Sequence, residues 1–213
     1  MAYALAAGRL HVVVLGTGST AGAGTSDRAL AYPQRLRERL QARYPEIELR
    51  LEVLVRPGQT AVQMQREFVR GGPAATADLV IWQSGSVEAV RQAPLQQYGQ
   101  AVSRGVAHLR RSGADVLLMD MQYGPYAELV ADFRPYQGYL WWASRELGVG
   151  LVPRYQIMEA WSATGRFDFA SDDAQQQRAT ADAVHACLGD VLDWMIADGV
   201  GQARQPASSA EER

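Results

Sequence analysis

Ser19 is the residue best placed by type for chemistry. It lies in Val12-Val13-Val14-Leu15-Gly16-Thr17-Gly18-Ser19-Thr20-Ala21-Gly22, where an apolar run of β character breaks into glycines and hydroxyl residues. A strand ending this way presents its turn at the carboxyl edge of a parallel sheet, where the sites of α/β proteins collect. A serine there is a candidate nucleophile, but a hydroxyl attacks well only when a positioned base takes its proton. The chain has three histidines, His11, His108 and His185. His11 opens the first strand at the opposite edge. His108 and His185 fall inside helical patterns, so all three are expected to be surface or packing residues.

The same turn admits a second chemistry. Thr17-Gly18-Ser19-Thr20-Ala21-Gly22-Ala23-Gly24 satisfies Thr-Gly-x3-Gly-x-Gly, the dinucleotide fingerprint of short-chain dehydrogenases. Glycines in that pattern let backbone N–H groups approach a pyrophosphate at a helix N-terminus. Two features oppose it. All 21 basic residues are arginine, so the lysine of the dehydrogenase catalytic pair is missing. The helical pattern also begins only near Tyr32. The absence of lysine equally excludes Schiff-base and phosphate-loop lysine chemistry.

Five short apolar runs are predicted as strands: residues 9–15, 48–55, 78–83, 115–121 and 149–153. Most are nearly continuous rather than alternating, as strands covered on both faces are. Amphipathic patterns over 32–44, 60–69, 95–111, 135–147 and 172–196 predict helices between and after them. Fivefold strand–helix alternation means one parallel α/β sheet with right-handed crossovers. With 213 residues and 47% hydrophobic content, a single domain over residues 1–198 is expected. Residues 199–213 are polar and aperiodic, and a disordered tail is expected there.

Composition narrows the partners. A net charge of −2 argues for no nucleic acid and no anionic membrane surface. No run approaches the length of a transmembrane helix, and residues 1–10 are too short and weakly apolar for a signal peptide. The compartment, cytoplasm or periplasm, stays open. Cys187 stands alone and is expected to be a buried structural thiol. No metal site and no cofactor is expected, since no His, Asp or Glu cluster shows a ligand spacing. Tyr123, Tyr126, Phe133, Tyr136, Tyr139, Trp141 and Trp142 cluster after the fourth strand, where they either hold a sugar or acyl chain or, as preferred here, pack a helix on the sheet.

Four segments resemble the blocks of the SGNH (GDSL) hydrolases, over residues 9–196. In the first turn Gly16, Thr20 and Gly22 match Gly-Asp-Ser-x-Thr-x-Gly, and Gly18 stands at the nucleophile's place. Arg56-Pro57-Gly58-Gln59-Thr60 follows the second strand, and Gly58 is either the glycine whose N–H helps form the oxyanion hole or an ordinary turn glycine. Gly85 in Gln83-Ser84-Gly85-Ser86-Val87-Glu88 matches Gly-x-Asn-Asp, with Val87 in place of the oxyanion-binding Asn and Glu88 keeping an acid. Asp168-Phe169-Ala170-Ser171 matches Asp-x-x-His, with Asp168 retained and Ser171 in place of the His. The fourth-strand segment 117–125 adds a further likeness to one bacterial branch.

The resemblance implies a three-layer α/β/α sandwich with a five-stranded parallel sheet in flavodoxin-like order 2-1-3-4-5. It also implies an esterase site from which the nucleophile, the oxyanion donor and the base have been lost. Loss of one such donor alone costs roughly 10²–10³ in turnover. The expected function is binding of a small ester- or carbohydrate-like ligand, or of a protein partner, in a cleft lined by Gly18, Ser19, Gly58, Gly85 and Asp168. The alternatives are a weak esterase or acyl-ester (carbohydrate) hydrolase using Ser19 and Asp168, and dinucleotide binding.

Overall fold

A computed structural model describes residues 1–204. Its strands are β1 (Arg9–Gly16), β2 (Glu48–Val55), β3 (Leu79–Gln83), β4 (Asp115–Met119) and β5 (Gly150–Val152). They form one sheet in the order β2-β1-β3-β4-β5, every neighbouring pair parallel, as the alternation and the resemblance imply. The helices are α1 (Ala2–Ala6), α2 (Tyr32–Arg43), α3 (Ala61–Val69), α4 (Ser86–Val90), α5 (Leu95–Arg111), α6 (Ala127–Val130), α7 (Arg134–Glu146), α8 (Arg154–Ala163) and α9 (Ala174–Arg204).

The two faces of the sheet explain the unbroken apolar runs. Side chains alternate along a strand. Val13, Leu15, Val80, Trp82 and Leu118 therefore pack against α3, α5 and α7, burying Met64, Phe68, Val106, Leu109 and Leu140. Val12, Val14, Leu79, Ile81, Met119 and Val152 take the other face, against Leu36 and Leu40 of α2 and Val184, Leu188 and Leu192 of α9. Glycine permits the closest approaches. A Cβ on Gly105 would lie 2.5 Å from the Trp82 ring, and one on Gly189 2.6 Å from Arg35, where α9 crosses α2.

Two features depart from the sequence reading. Helix α9 runs to Arg204, so residues 199–204, expected to belong to an aperiodic tail, continue the helix, with Val200 buried at 4% exposure. Residues 205–213 lie outside the described chain. Helix α8 was not expected. Its helical pattern is weak, and it starts immediately after β5 with no polar spacer to mark it. Among the aromatics, Phe133 and Tyr136 are buried, Tyr98 meets Tyr136 and Tyr139 edge-on, and Trp141 and Trp142 are exposed. Among the described residues no helix is long and apolar enough to cross a membrane.

Candidate functional site

The carboxyl ends of β1, β3, β4 and β5 each release polar residues into one network. After β1, Thr17 leads into a tight turn over Gly18–Ala21 that carries Ser19 and Thr20. Gly16 must be glycine, because a Cβ there would lie 2.0 Å from Thr20 Oγ1 and 2.7 Å from Gln83 Oε1. Gln83 ends β3, Asp120 and Gln122 follow β4, and Arg154 begins α8 just beyond β5.

Hydrogen positions follow from the pairing. Thr20 Oγ1 donates to Gln83 Oε1 at 2.7 Å, so the Tyr32 hydroxyl, 2.9 Å away, donates to Thr20. With its carbonyl taken, Gln83 turns Nε2 to Ser19 Oγ at 3.3 Å. Arg154 Nη1 donates to the same Ser19 oxygen at 2.8 Å. Its Nη2 donates to Gln122 Oε1 at 2.9 Å, and its guanidinium lies 5.8 Å over the Tyr32 ring. A hydroxyl has one donor and two acceptor positions. Both acceptor positions of Ser19 therefore face N–H groups, and its O–H has one acceptor, Gln83 Oε1 at 3.4 Å, an oxygen already taken by Thr20 at 2.7 Å.

Arg154 is fully buried, which lowers its pKa, yet it makes no ion pair among the described residues, and its Nε lacks a partner. Asp120, also fully buried, accepts instead from the backbone N–H of Tyr155 at 2.9 Å. It thereby holds the first turn of α8, the turn that carries Arg154. Burial lifts its carboxyl to about 7, opposed by the Tyr155 hydrogen bond and by the charge of Arg154.

The first three SGNH-like segments meet. Thr17, Gln59, Gln83, Gly85 and Val87 line one crevice, too narrow for a water-sized molecule. Gly85 adopts φ +103° against the Met121 side chain, and Gly58 (φ +69°) lies beside Arg91 just past α4. Glu88, 2% exposed, ties the segments together: one carboxylate oxygen takes the N–H of Ala61 at the start of α3 and the other the N–H of Gly85 at 3.1 Å. Burial raises its pKa, and these backbone bonds oppose the rise.

The fourth segment is placed differently. Asp168 lines a second cleft of about 140 Å³ with Ala23, Gly24, Gln122, Phe169 and His185. Ser19 is not among the residues of that cleft, and the Asp168 carboxylate accepts from the N–H of Ala170. Ser171 faces α9, its oxygen accepting from Asp173 N–H and its carbonyl from the Gln177 side chain. The histidines are committed elsewhere. His11 pairs with Glu52, and His108 with the Phe68 carbonyl. His185 Nδ1 accepts from Tyr32 N–H at 2.9 Å, with burial lowering its pKa to about 3.

The glycine fingerprint does not open a helix. It runs into short turns, and α2 starts only at Tyr32, so the helix N-terminus that would cradle a pyrophosphate is not at these glycines. No group of three metal-binding side chains occurs among the described residues.

Gln83, Asp120, Gln122 and Arg154 were not singled out from the sequence. One signal was available: each is a polar residue at or just past the carboxyl end of an apolar strand, the edge where such folds bind.

Solved structures share this architecture at low identity. The chain superposes on TesA with TM-score 0.67 and 17% identity, over 89% of this chain and 98% of that one. A catalytic mutant of Axe2, an acetylxylan esterase from Geobacillus stearothermophilus, gives 0.65 and 16%, over 90% and 94%. A G-D-S-L family protein from Desulfitobacterium hafniense gives 0.58 and 15%, over 86% and 98%. No curated protein matches the sequence. The Non-GDSL lipase-like family matches residues 1–202, nearly the whole chain, and its name fits a first turn that reads Gly-Thr-Gly-Ser; the chain belongs to this family.

Proposed function

We propose that this protein binds a small ligand at the cleft lined by Gln122 and Asp168, next to the Ser19–Arg154–Gln122 network, and does not carry out triad-type ester hydrolysis. The observation that supports this most is the state of the Ser19 oxygen, which accepts from Arg154 Nη1 and Gln83 Nε2 and has no histidine or carboxylate within hydrogen-bonding distance among the described residues. A serine nucleophile needs a positioned base for its proton, and among the described residues Ser19 has none. Gly18, Val87 and Ser171 stand at the other positions of the lost machinery. The crevice around Val87 also leaves no room for an acyl oxygen.

The second reading is a weak esterase using Ser19, and the Arg154 contact is what favours it, since a guanidinium stabilises negative charge on the serine oxygen. Turnover of p-nitrophenyl acetate by the wild type and by Ser19→Ala separates the two. Equal rates are expected. A wild-type rate that Ser19→Ala abolishes would establish the esterase and end the binding proposal.

A further inference from the structure

We infer that the ligand presents a small anionic oxygen group, a carboxylate or phosphate, to Ser19 and Gln122. This rests on the proposed binding role and names the chemistry of the ligand at that same cleft.

The inference follows from where hydrogens must go. Arg154 has donors only. By taking Ser19 Oγ at one end and Gln122 Oε1 at the other, its guanidinium consumes acceptors on both residues. Ser19 is then left with its O–H, whose one acceptor is the shared Gln83 Oε1 at a long 3.4 Å, and Gln122, which is exposed and lines the second cleft, with its Nε2 amide hydrogens. One buried guanidinium thus leaves two neighbouring side chains with donors rather than acceptors to offer. A ligand that accepts and does not donate matches such a pair.

Charge points the same way. A buried cation is costly unless its charge is answered. Arg154 is fully buried without an ion pair among the described residues, whereas Arg39, Arg43, Arg56 and Arg134 each pair with a carboxylate. Asp120 acts on it only through space: one oxygen accepts from Tyr155 and the other has no partner among the described residues. Near neutral pH a substantial part of Asp120 is protonated, so its carboxylate leaves part of the Arg154 charge unanswered. Asp168, the other acid at this cleft, directs an oxygen to Ala170.

The test is calorimetric titration of the wild type with acetate, with inorganic phosphate and with neutral acetamide, repeated on Ser19→Ala and Gln122→Glu. Gln122→Glu keeps an acceptor for Arg154 while removing the outward donor and adding charge. Circular dichroism establishes that each variant is folded. At least one anion is expected to bind the wild type, with acetamide much weaker. Binding should fall roughly tenfold or more in Ser19→Ala, as for a lost hydrogen bond to a charged group, and vanish in Gln122→Glu. Acetate against phosphate decides which anion the cleft prefers.

Three results would overturn the inference: no anion binding, acetamide binding as tightly as acetate, or an affinity unchanged in both variants, which means an adventitious ion only. If a neutral ester binds in a Ser19-dependent way while anions do not, the anionic assignment fails and the binding role stands. If the same samples hydrolyse p-nitrophenyl acetate through Ser19, the binding role itself fails.

Discussion

Arg154 donates to Ser19 Oγ at 2.8 Å across 135 residues of sequence, joining the turn after β1 to the first residue of α8. This bond sets the chemistry of the site. It uses up a serine lone pair, it brings a buried positive charge to the sheet edge, and it leaves Gln122 as the second residue held by the same guanidinium.

The energetics of this network are expected to be asymmetric. Arg154→Met replaces a buried cation with an apolar chain of similar reach and should leave stability within about 1 kcal/mol of wild type, as replacing buried charges often does. Gln122→Leu instead strips a partner from a guanidinium that stays buried, and should cost roughly 1–3 kcal/mol. Urea unfolding measures both. A larger loss for Arg154→Met than for Gln122→Leu would contradict this ranking.

Stability against pH contains two opposed contributions. Asp120, raised from 3.8 to about 7, keeps a proton in the folded state that the unfolded chain gives up, so its contribution is present below about 4 and is lost as pH rises through 7. Glu88, also raised, adds in the same direction. His185, lowered from 6.5 to about 3, stays neutral when folded while the unfolded chain takes a proton, so stability falls as pH drops below 6.5. Each displacement spans about three pKa units, on the order of 4 kcal/mol at most. Between about pH 4.5 and 6.5 the wild-type slope should lie between those of the two variants: His185→Gln should lose stability with rising pH more steeply than wild type, and Asp120→Asn should be shifted toward gaining it. Slopes in the reverse order would refute the assignment.

Glu88 should matter for the fold rather than for any turnover. Glu88→Ala leaves the Ala61 and Gly85 N–H groups buried without an acceptor, at a cost of roughly 1–3 kcal/mol for each. Glu88→Gln keeps one acceptor oxygen and is expected to lose about half as much. A thermal melt that places the two variants together would show that the carboxylate does not bridge the segments.

Gly16→Ala should be among the most damaging single-methyl changes in the chain. The added Cβ meets Thr20 Oγ1 at 2.0 Å and Gln83 Oε1 at 2.7 Å, so the turn and the Gln83 side chain must both shift. Overpacking of this kind costs roughly 1–3 kcal/mol. The displaced Gln83 should also release Ser19, so the variant's anion affinity is expected to fall with its melting temperature. An unchanged melting temperature would rule out the packing described.

The sequence alone determined the sheet. Continuous apolar runs separated by amphipathic helices admit little besides a doubly covered parallel sheet, and strand order followed from the SGNH-like segments. It also placed Ser19, Gly85 and Val87 at the carboxyl edge, because strand ends are legible where hydrophobicity stops. What it left undetermined was the partner of Ser19. Arg154 begins a helix with a weak hydrophobic pattern, and in sequence it is one arginine among 21. Only packing of α8 against β4 and β5 buries that guanidinium and aims it at Ser19. Likewise His185 is an ordinary helical residue until α9 crosses α2 and the Tyr32 N–H claims its ring nitrogen. Strands and helices arise from periodic patterns of neighbouring residues, whereas the proton positions at this site arise from contacts between residues 12 to 135 positions apart, and those exist only once the layers close.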